Sequence, residues 1–170
     1  MGKSRVSRAE ILGAFSRAGR EHSDATVLFH AIMASLLDLH PTDYKALSIL
    51  ERLGAMNAGE IARHSGLASA SVTNLIDRLE QKGFVRRARD TADRRRVLVE
   101  PVADRVAAAR KRFASTRRSL ARLAEQYSDR DLAVITDFLA RNAQRLRAET
   151  HKLEMSSALA ASGENAEAAA

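Results

Sequence analysis

Cysteine and tryptophan are absent from the 170 residues, proline occurs twice, and aromatic residues make up only 4 %. Without cysteine, disulfides, thiolate metal sites and thiol redox sensing are excluded within this chain. Two tyrosines and five phenylalanines, mostly at apolar positions, offer little for the base stacking that an RNA-binding module needs. No run approaches the roughly 18 apolar residues of a membrane span. The apolar stretch from Ile11 to Phe15 is too short for a signal peptide, and Val6 stands where a myristoylation pattern needs Ser or Thr. A cytoplasmic, nucleoid-associated protein with no membrane contact is expected. Catalytic signatures are missing too. "GKS" at residues 2–4 is the tail of a phosphate loop without its first glycine or its strand, and no His-Glu-x-x-His or glycine-rich dinucleotide pattern occurs. His22 and His30 could share a helix face but lack nearby carboxylate spacing for zinc. The expectation is no enzyme, no metal and no cofactor.

What is present is helix-forming and basic. Hydrophobic residues make up 45 %, with only 8 glycines, which reads as mainly α. Lys and Arg number 28 against 21 Asp and Glu, a net +7 that favours a polyanionic partner.

Residues 1–8 read as a flexible basic arm. Residues 9–38 keep a helical apolar spacing through Ile11, Phe15, Ala18, Val27, Ala31 and Leu36, as one helix or two joined near Gly19. "HPT" at 40–42 breaks the pattern, and Thr42 is the expected N-cap of a helix running to about Leu53, with Gly54 closing it. "NAGEIARHSGL" predicts a short helix stopped at Gly66. In "ASASVTNLIDRLEQKGF", Val72, Leu75, Ile76 and Leu79 form one apolar helix face, ended by Gly83. "FVRRA" and "RVLVE" are β-rich and flank a charged loop, which predicts a hairpin. Pro101 then suits the first turn of a single long basic helix to about residue 126. Ser128 or Asp129 caps a last helix to about Leu153, striped by Leu132, Ile135, Leu139 and Leu146. Residues 154–170 are low in complexity and expected to be disordered.

A short helix, a turn and a second amphipathic helix make a helix-turn-helix, and the hairpin after it makes a wing. A recognition helix must offer small, hydrogen-bonding side chains near its N-terminus, where it enters the major groove. Ser69, Ser71, Thr73 and Asn74 are of that kind, and Asn can pair bidentately with adenine. Capping by Ser69 or Ser71 and plain solvation of Asn74 are the competing structural roles. Between Lys82 and Arg96 seven basic residues face Asp90 and Asp93, +5 in fifteen residues out of +7 overall. An arginine at the wing tip can enter a narrow minor groove. The expected double-stranded DNA contacts are Ser69, Ser71, Thr73, Asn74, Arg78, Arg86, Arg94, Arg95 and Arg96. With about three phosphate contacts from each of two subunits, the slope of log K against log salt is near −5.

These residues carry a resemblance. "GEIARHSGLASASVTNLIDRLEQKGFVRRARDTADRRRVLVE", residues 59–100, resembles the MarR family of bacterial winged-helix transcription regulators, most specifically in "IDRLEQKGFV" and "DTADRRR". With "TDYKALSILERLG" and the long helices on both sides, the likeness covers about residues 10–150. It implies a mainly α fold with a small β-hairpin wing, a winged helix-turn-helix over 39–100 flanked by dimerisation helices over 9–38 and 101–153. It implies a homodimer reading a pseudo-palindrome with half-sites about 10 bp apart. The stripe over 132–146 fits that, and would equally serve an intramolecular core. Arg94 and Arg95 match the wing arginines, and Asp93 the aspartate that holds one by a salt bridge; Asp90 shapes the turn. "VEP" departs from the Leu-Thr pair of many members. Many members are repressors released by small aromatic or lipophilic anions, and the positions that match their pocket are Phe29, His30, Met33, Tyr44 and Lys45. His30 or Lys45 would neutralise a carboxylate; ordinary core and surface roles are the alternative for all five.

The expected function is a sequence-specific, homodimeric transcriptional repressor with a possible small-molecule effector. The alternative is a ligand-independent DNA-binding or architectural protein.

Overall fold

The computed structural model describes residues 6–91 and 93–167, with backbone alone from 158 onward. It divides into two compact units, residues 1–113 and 114–170.

The first helix, α1 (Arg8–Leu36), opens on a capping box in which Ser7 and Glu10 each satisfy the other's backbone N–H. It passes through Gly19 unbroken, since one glycine costs a helix only about 1 kcal/mol. In α2 (Pro41–Leu53) the N-cap is His40 rather than the expected Thr42: the His40 ring accepts the Thr42 backbone N–H, and Pro41 takes the first helical position, where a missing N–H does no harm. A second capping box, Asn57 with Glu60, starts α3 (Ala58–Ser65). Gly66 ends it with φ +73°, a left-handed conformation that favours glycine and makes the tight turn into α4 (Ser69–Gln81).

The core of this unit collects Leu47, Ile49 and Leu50 from α2, Ile61 from α3, and Val72, Leu75, Ile76 and Leu79 from α4, all nearly or fully buried. Each such side chain contributes about 1.5–3 kcal/mol of burial. The apolar stripe read from residues 72–79 therefore faces inward, and its burial decides which face of α4 is left outside.

Strands β1 (Val85–Arg89) and β2 (Val97–Pro101) pair antiparallel, with Arg87 opposite Val99. Pro101 ends β2 opposite Val85 instead of starting a helix, because a proline at a strand end forfeits no needed hydrogen bond. Met56, between α2 and α3, exchanges both backbone hydrogen bonds with Val99, so the base of the wing is bonded to the helical body.

The expected single helix over 101–126 is two: α5 (Ala103–Arg112) and α6 (Ala114–Ala124), separated at Phe113. Phe113 is buried, so packing rather than a Gly or Pro sets the break. In the second unit, Ser128 caps α7 by accepting the Asp131 N–H. This helix runs Asp129–Glu167, past the expected end at Leu153 and through most of the stretch expected to be disordered. Its alanines are strong helix formers. Residues 168–170 lie outside the described residues.

No helix among the described residues is long and apolar enough to cross a membrane. Two helical surfaces are apolar and exposed in the single chain: Leu12, Val27, Leu28 and Ile32 on α1, and, within the second unit, Leu120, Leu123, Val134, Leu139, Leu146 and Leu153.

Candidate nucleic-acid interface

Burial of Val72, Leu75, Ile76 and Leu79 leaves Ser69, Ser71, Thr73 and Asn74 exposed on α4. Neither serine caps the helix. The N-cap is Ala68, and no side chain covers the first-turn N–H groups, which stay available to an anion. Small side chains around them allow close approach of a backbone or base edge.

The expected basic residues divide into two groups. Arg78 is committed to Asp43 of α2, through Nε to Oδ2 at 2.9 Å and Nη2 to Oδ1 at 2.6 Å. Those hydrogen bonds hold its guanidinium even more firmly protonated than usual. The Arg78 side chain is therefore turned to α2 rather than to the outer face where the sequence suggests a DNA ligand. Arg86 pairs with Glu100 across the hairpin at 2.9 Å, and Arg96 reaches Glu60 of α3 at 3.4 Å. Arg94 and Arg95 lie exposed on the turn, with no ion pair among the described residues.

Asp93 does something other than the expected salt bridge. Its carboxylate accepts the Arg95 backbone N–H at 3.0 Å, and its carbonyl accepts the Arg96 N–H at 2.9 Å. This is an Asx-type turn that fixes the backbone carrying Arg94 and Arg95. The ladder is closed by the Asp90 N–H donating to the Arg96 carbonyl at 3.0 Å.

Three interactions go beyond what the sequence singles out. Arg87 bridges Asp77 and Glu80 of α4, tying wing to helix and raising the Arg87 pKa, chiefly through the hydrogen bond to Asp77. Lys82 pairs with Asp38, and Asp43 is the buried partner of Arg78. The spacing of Asp77 and Glu80, one turn apart beside a basic strand, is the available signal for the first. So of the seven basic residues from Lys82 to Arg96, four meet carboxylates within the chain. Arg89, Arg94 and Arg95 have no ion pair among the described residues.

The positions matched to an effector pocket are partly brought together. Phe29 and His30 ring centroids lie 5.8 Å apart, and His30 and Tyr44 lie 5.9 Å apart, all tilted. Burial, then the charge of Lys45, lowers the His30 pKa, so the imidazole is neutral near pH 7 and Lys45 is the nearby cation. Burial raises the Tyr44 pKa, with Glu51 adding to it. Met33 is half-buried one turn along α1 from His30.

Together, a helix-turn-helix with an outward polar recognition face and an arginine-tipped hairpin bonded to its base define a winged-helix DNA-binding protein. The MarR family model matches residues 39–97. The uncharacterized HTH-type transcriptional regulator YcgE of Bacillus subtilis (strain 168) is 36 % identical over 151 residues, covering 89 % of this chain and 98 % of that protein. Among solved structures, a MarR family protein from Bacillus stearothermophilus superimposes with a TM-score of 0.64 at 21 % identity, covering 83 % of this chain and 99 % of that one. NadR in complex with 4-hydroxyphenylacetate superimposes with a TM-score of 0.57 at 17 % identity, covering 84 % and 97 %. The chain belongs to the MarR family: it is a DNA-binding transcriptional regulator, and members of this family are not enzymes.

Proposed function

We propose that the protein is a homodimeric repressor that binds a pseudo-palindromic operator and is released by a small aromatic or lipophilic anion. The observation that carries the DNA reading is the exposed Ser69, Ser71, Thr73 and Asn74 face beside the exposed Arg94 and Arg95 tip. Asn74 and the small hydroxyls read the major groove. Arg94 and Arg95 enter the flanking minor groove, where a narrow A·T-rich groove deepens the negative potential. The apolar surfaces on α1 and on α6 and α7 support a second copy as partner, because a monomer rarely leaves so many aliphatic side chains in water. Residues 9–38 and 101–153 are then the dimer elements, and the nucleoid is where the protein acts.

The effector reading rests on the tilted cluster of Phe29, His30 and Tyr44 rings, with the charge of Lys45 felt at His30. A neutral imidazole and two aromatic rings suit the flat part of such an anion, and Lys45 suits its carboxylate. That NadR was crystallised with 4-hydroxyphenylacetate makes this acid the first ligand to try.

The test is selection of bound genomic fragments by the purified protein at physiological salt, then footprinting with and without 4-hydroxyphenylacetate. A protected pseudo-palindrome with half-sites one turn apart, lost on adding an aromatic acid, is expected. Diffuse binding that falls smoothly with salt favours an architectural protein instead.

A further inference from the structure

Arg78 on α4 and Lys82, the residue that caps its C-terminus, stand four residues apart and so share one flank of the helix. Both reach back to the corner between α1 and α2. Arg78 forks onto Asp43, and Lys82 Nζ lies 2.6 Å from Asp38 Oδ2 while also donating to the Asp38 carbonyl. Asp43 is 1 % exposed and is the only buried charged side chain among the described residues. Asp38 sits at φ +56°, the only left-handed non-glycine described. A carboxylate taken out of water needs a matched cation. A guanidinium fork fixes both distance and angle to it, where an ammonium fixes distance alone.

Burial of Val72, Leu75, Ile76 and Leu79 chooses the inward face of α4. Ion pairs add directional contacts to that non-directional packing, and a base-reading helix must hold Asn74 in one orientation. Arg78 and Lys82 hold one flank at two points one turn apart. They lie C-terminal to Ser69, Ser71, Thr73 and Asn74, and each cation is already paired with a carboxylate of the α1–α2 corner.

We propose that Arg78 and Lys82 are positioning residues that lock the rotation of the recognition helix against Asp43 and Asp38, and that neither is a DNA ligand. The proposal rests on the reading of α4 as the recognition helix. It predicts that breaking the latch costs sequence discrimination while leaving general attraction to DNA intact. A residue that binds phosphate does the opposite, weakening binding to all sequences alike.

The experiment uses the full chain and two duplexes: the fragment recovered by selection and a scrambled one of equal length. Variants are Arg78→Lys, Asp43→Asn, the combination of these two, Arg78→Ala, Asp38→Asn and Asn74→Ala, all assayed below their melting temperatures. Arg78→Lys and Asp43→Asn are each expected to weaken selected-fragment binding about tenfold, the effect of one mismatched base pair, with scrambled binding and salt slope unchanged. The combination is expected to be no weaker than the worse single variant. Asp38→Asn, at an exposed carboxylate that carries no folding risk, is expected to give a smaller loss in the same direction. A role confined to stability lowers the melting temperature and leaves discrimination alone, which overturns the proposal. So does parental discrimination in Arg78→Lys or Asp43→Asn. An equal loss on both duplexes when Arg78 is replaced by Ala, with the salt slope reduced by about 0.9 for each phosphate no longer neutralised, makes Arg78 a DNA ligand and also overturns it. If Asn74→Ala leaves discrimination intact, the recognition-helix reading has failed instead.

Discussion

Arg87 on β1 holds Asp77 on α4 at 2.5 Å, and the same guanidinium meets Glu80 one turn further on. Its backbone N–H adds a third link, donating to Glu80 Oε1 at 2.9 Å. The flank of α4 opposite Arg78 and Lys82 is thereby tied to the wing, so helix and hairpin are held as one piece.

Asp77→Asn separates this tie from simple charge. The substitution removes a negative charge beside the proposed DNA-binding face, so electrostatics alone predicts tighter binding. If the tie to Arg87 matters, affinity for the selected fragment falls instead. Because both side chains are partly exposed, stability is expected to change by no more than about 1 kcal/mol. Affinity titration and thermal melting on the same preparation decide the sign.

The wing tip and the recognition face are expected to fail differently. Arg94→Ala with Arg95→Ala should weaken binding to every sequence and flatten the salt slope by about 0.9 for each phosphate left without its arginine. Asn74→Ala should relax preference at one base pair, costing about 1–3 kcal/mol there. Arg86→Ala, which removes a guanidinium already paired with Glu100, should change the slope less than removal of Arg94. Binding measured across salt concentrations on matched and mismatched duplexes checks all three.

His30 is expected to give the protein a pH response. Its pKa is depressed on folding, by burial first and by Lys45 second, from an ordinary value of 6.5. Between that value and the lower folded one, the unfolded chain binds the extra proton, so stability rises with pH there. Stability is therefore complete above about pH 6.5 and declines as pH falls through that window. His30→Phe should remove part of this decline. Melting temperatures from about pH 7.5 to about pH 5.5, compared between parent and variant, give the result; parallel curves exclude His30 as the source.

Leu139 tests the dimer. It is 52 % exposed on α7 in the single chain. Leu139→Glu should shift the protein to monomer in sedimentation at micromolar concentration and cut operator affinity sharply, since one half-site alone remains for each molecule.

The helix-turn-helix was legible because its signals are local. Gly66 and Gly83 punctuate the chain at positive φ, and the residues between them alternate apolar and polar at helical spacing. The wing was legible from β-branched residues around a charged loop. What the sequence hid depends on contacts far along the chain. Nothing near Arg78 indicates that Asp43, thirty-five residues earlier, claims it. No Gly or Pro near Phe113 marks the break between α5 and α6. Charge was an incomplete guide as well: residues 103–124 hold seven basic side chains against one aspartate, as basic a stretch as the wing. Place in the fold, at the exposed turn of the hairpin, and not the sum of charge, marks out Arg94 and Arg95.

The Met56–Val99 bridge has a mechanical consequence. A two-stranded hairpin held only at its ends would flap, and a long arginine at its tip would sample many grooves. Met56 splices a third backbone into the base of that hairpin from the segment joining α2 to α3. A shift of α2 is then handed to the wing through main-chain bonds. The hairpin is thus moored on both edges, β2 by Met56 and β1 by the Arg87 ties to α4, so the direction in which its tip points is inherited from the helical body.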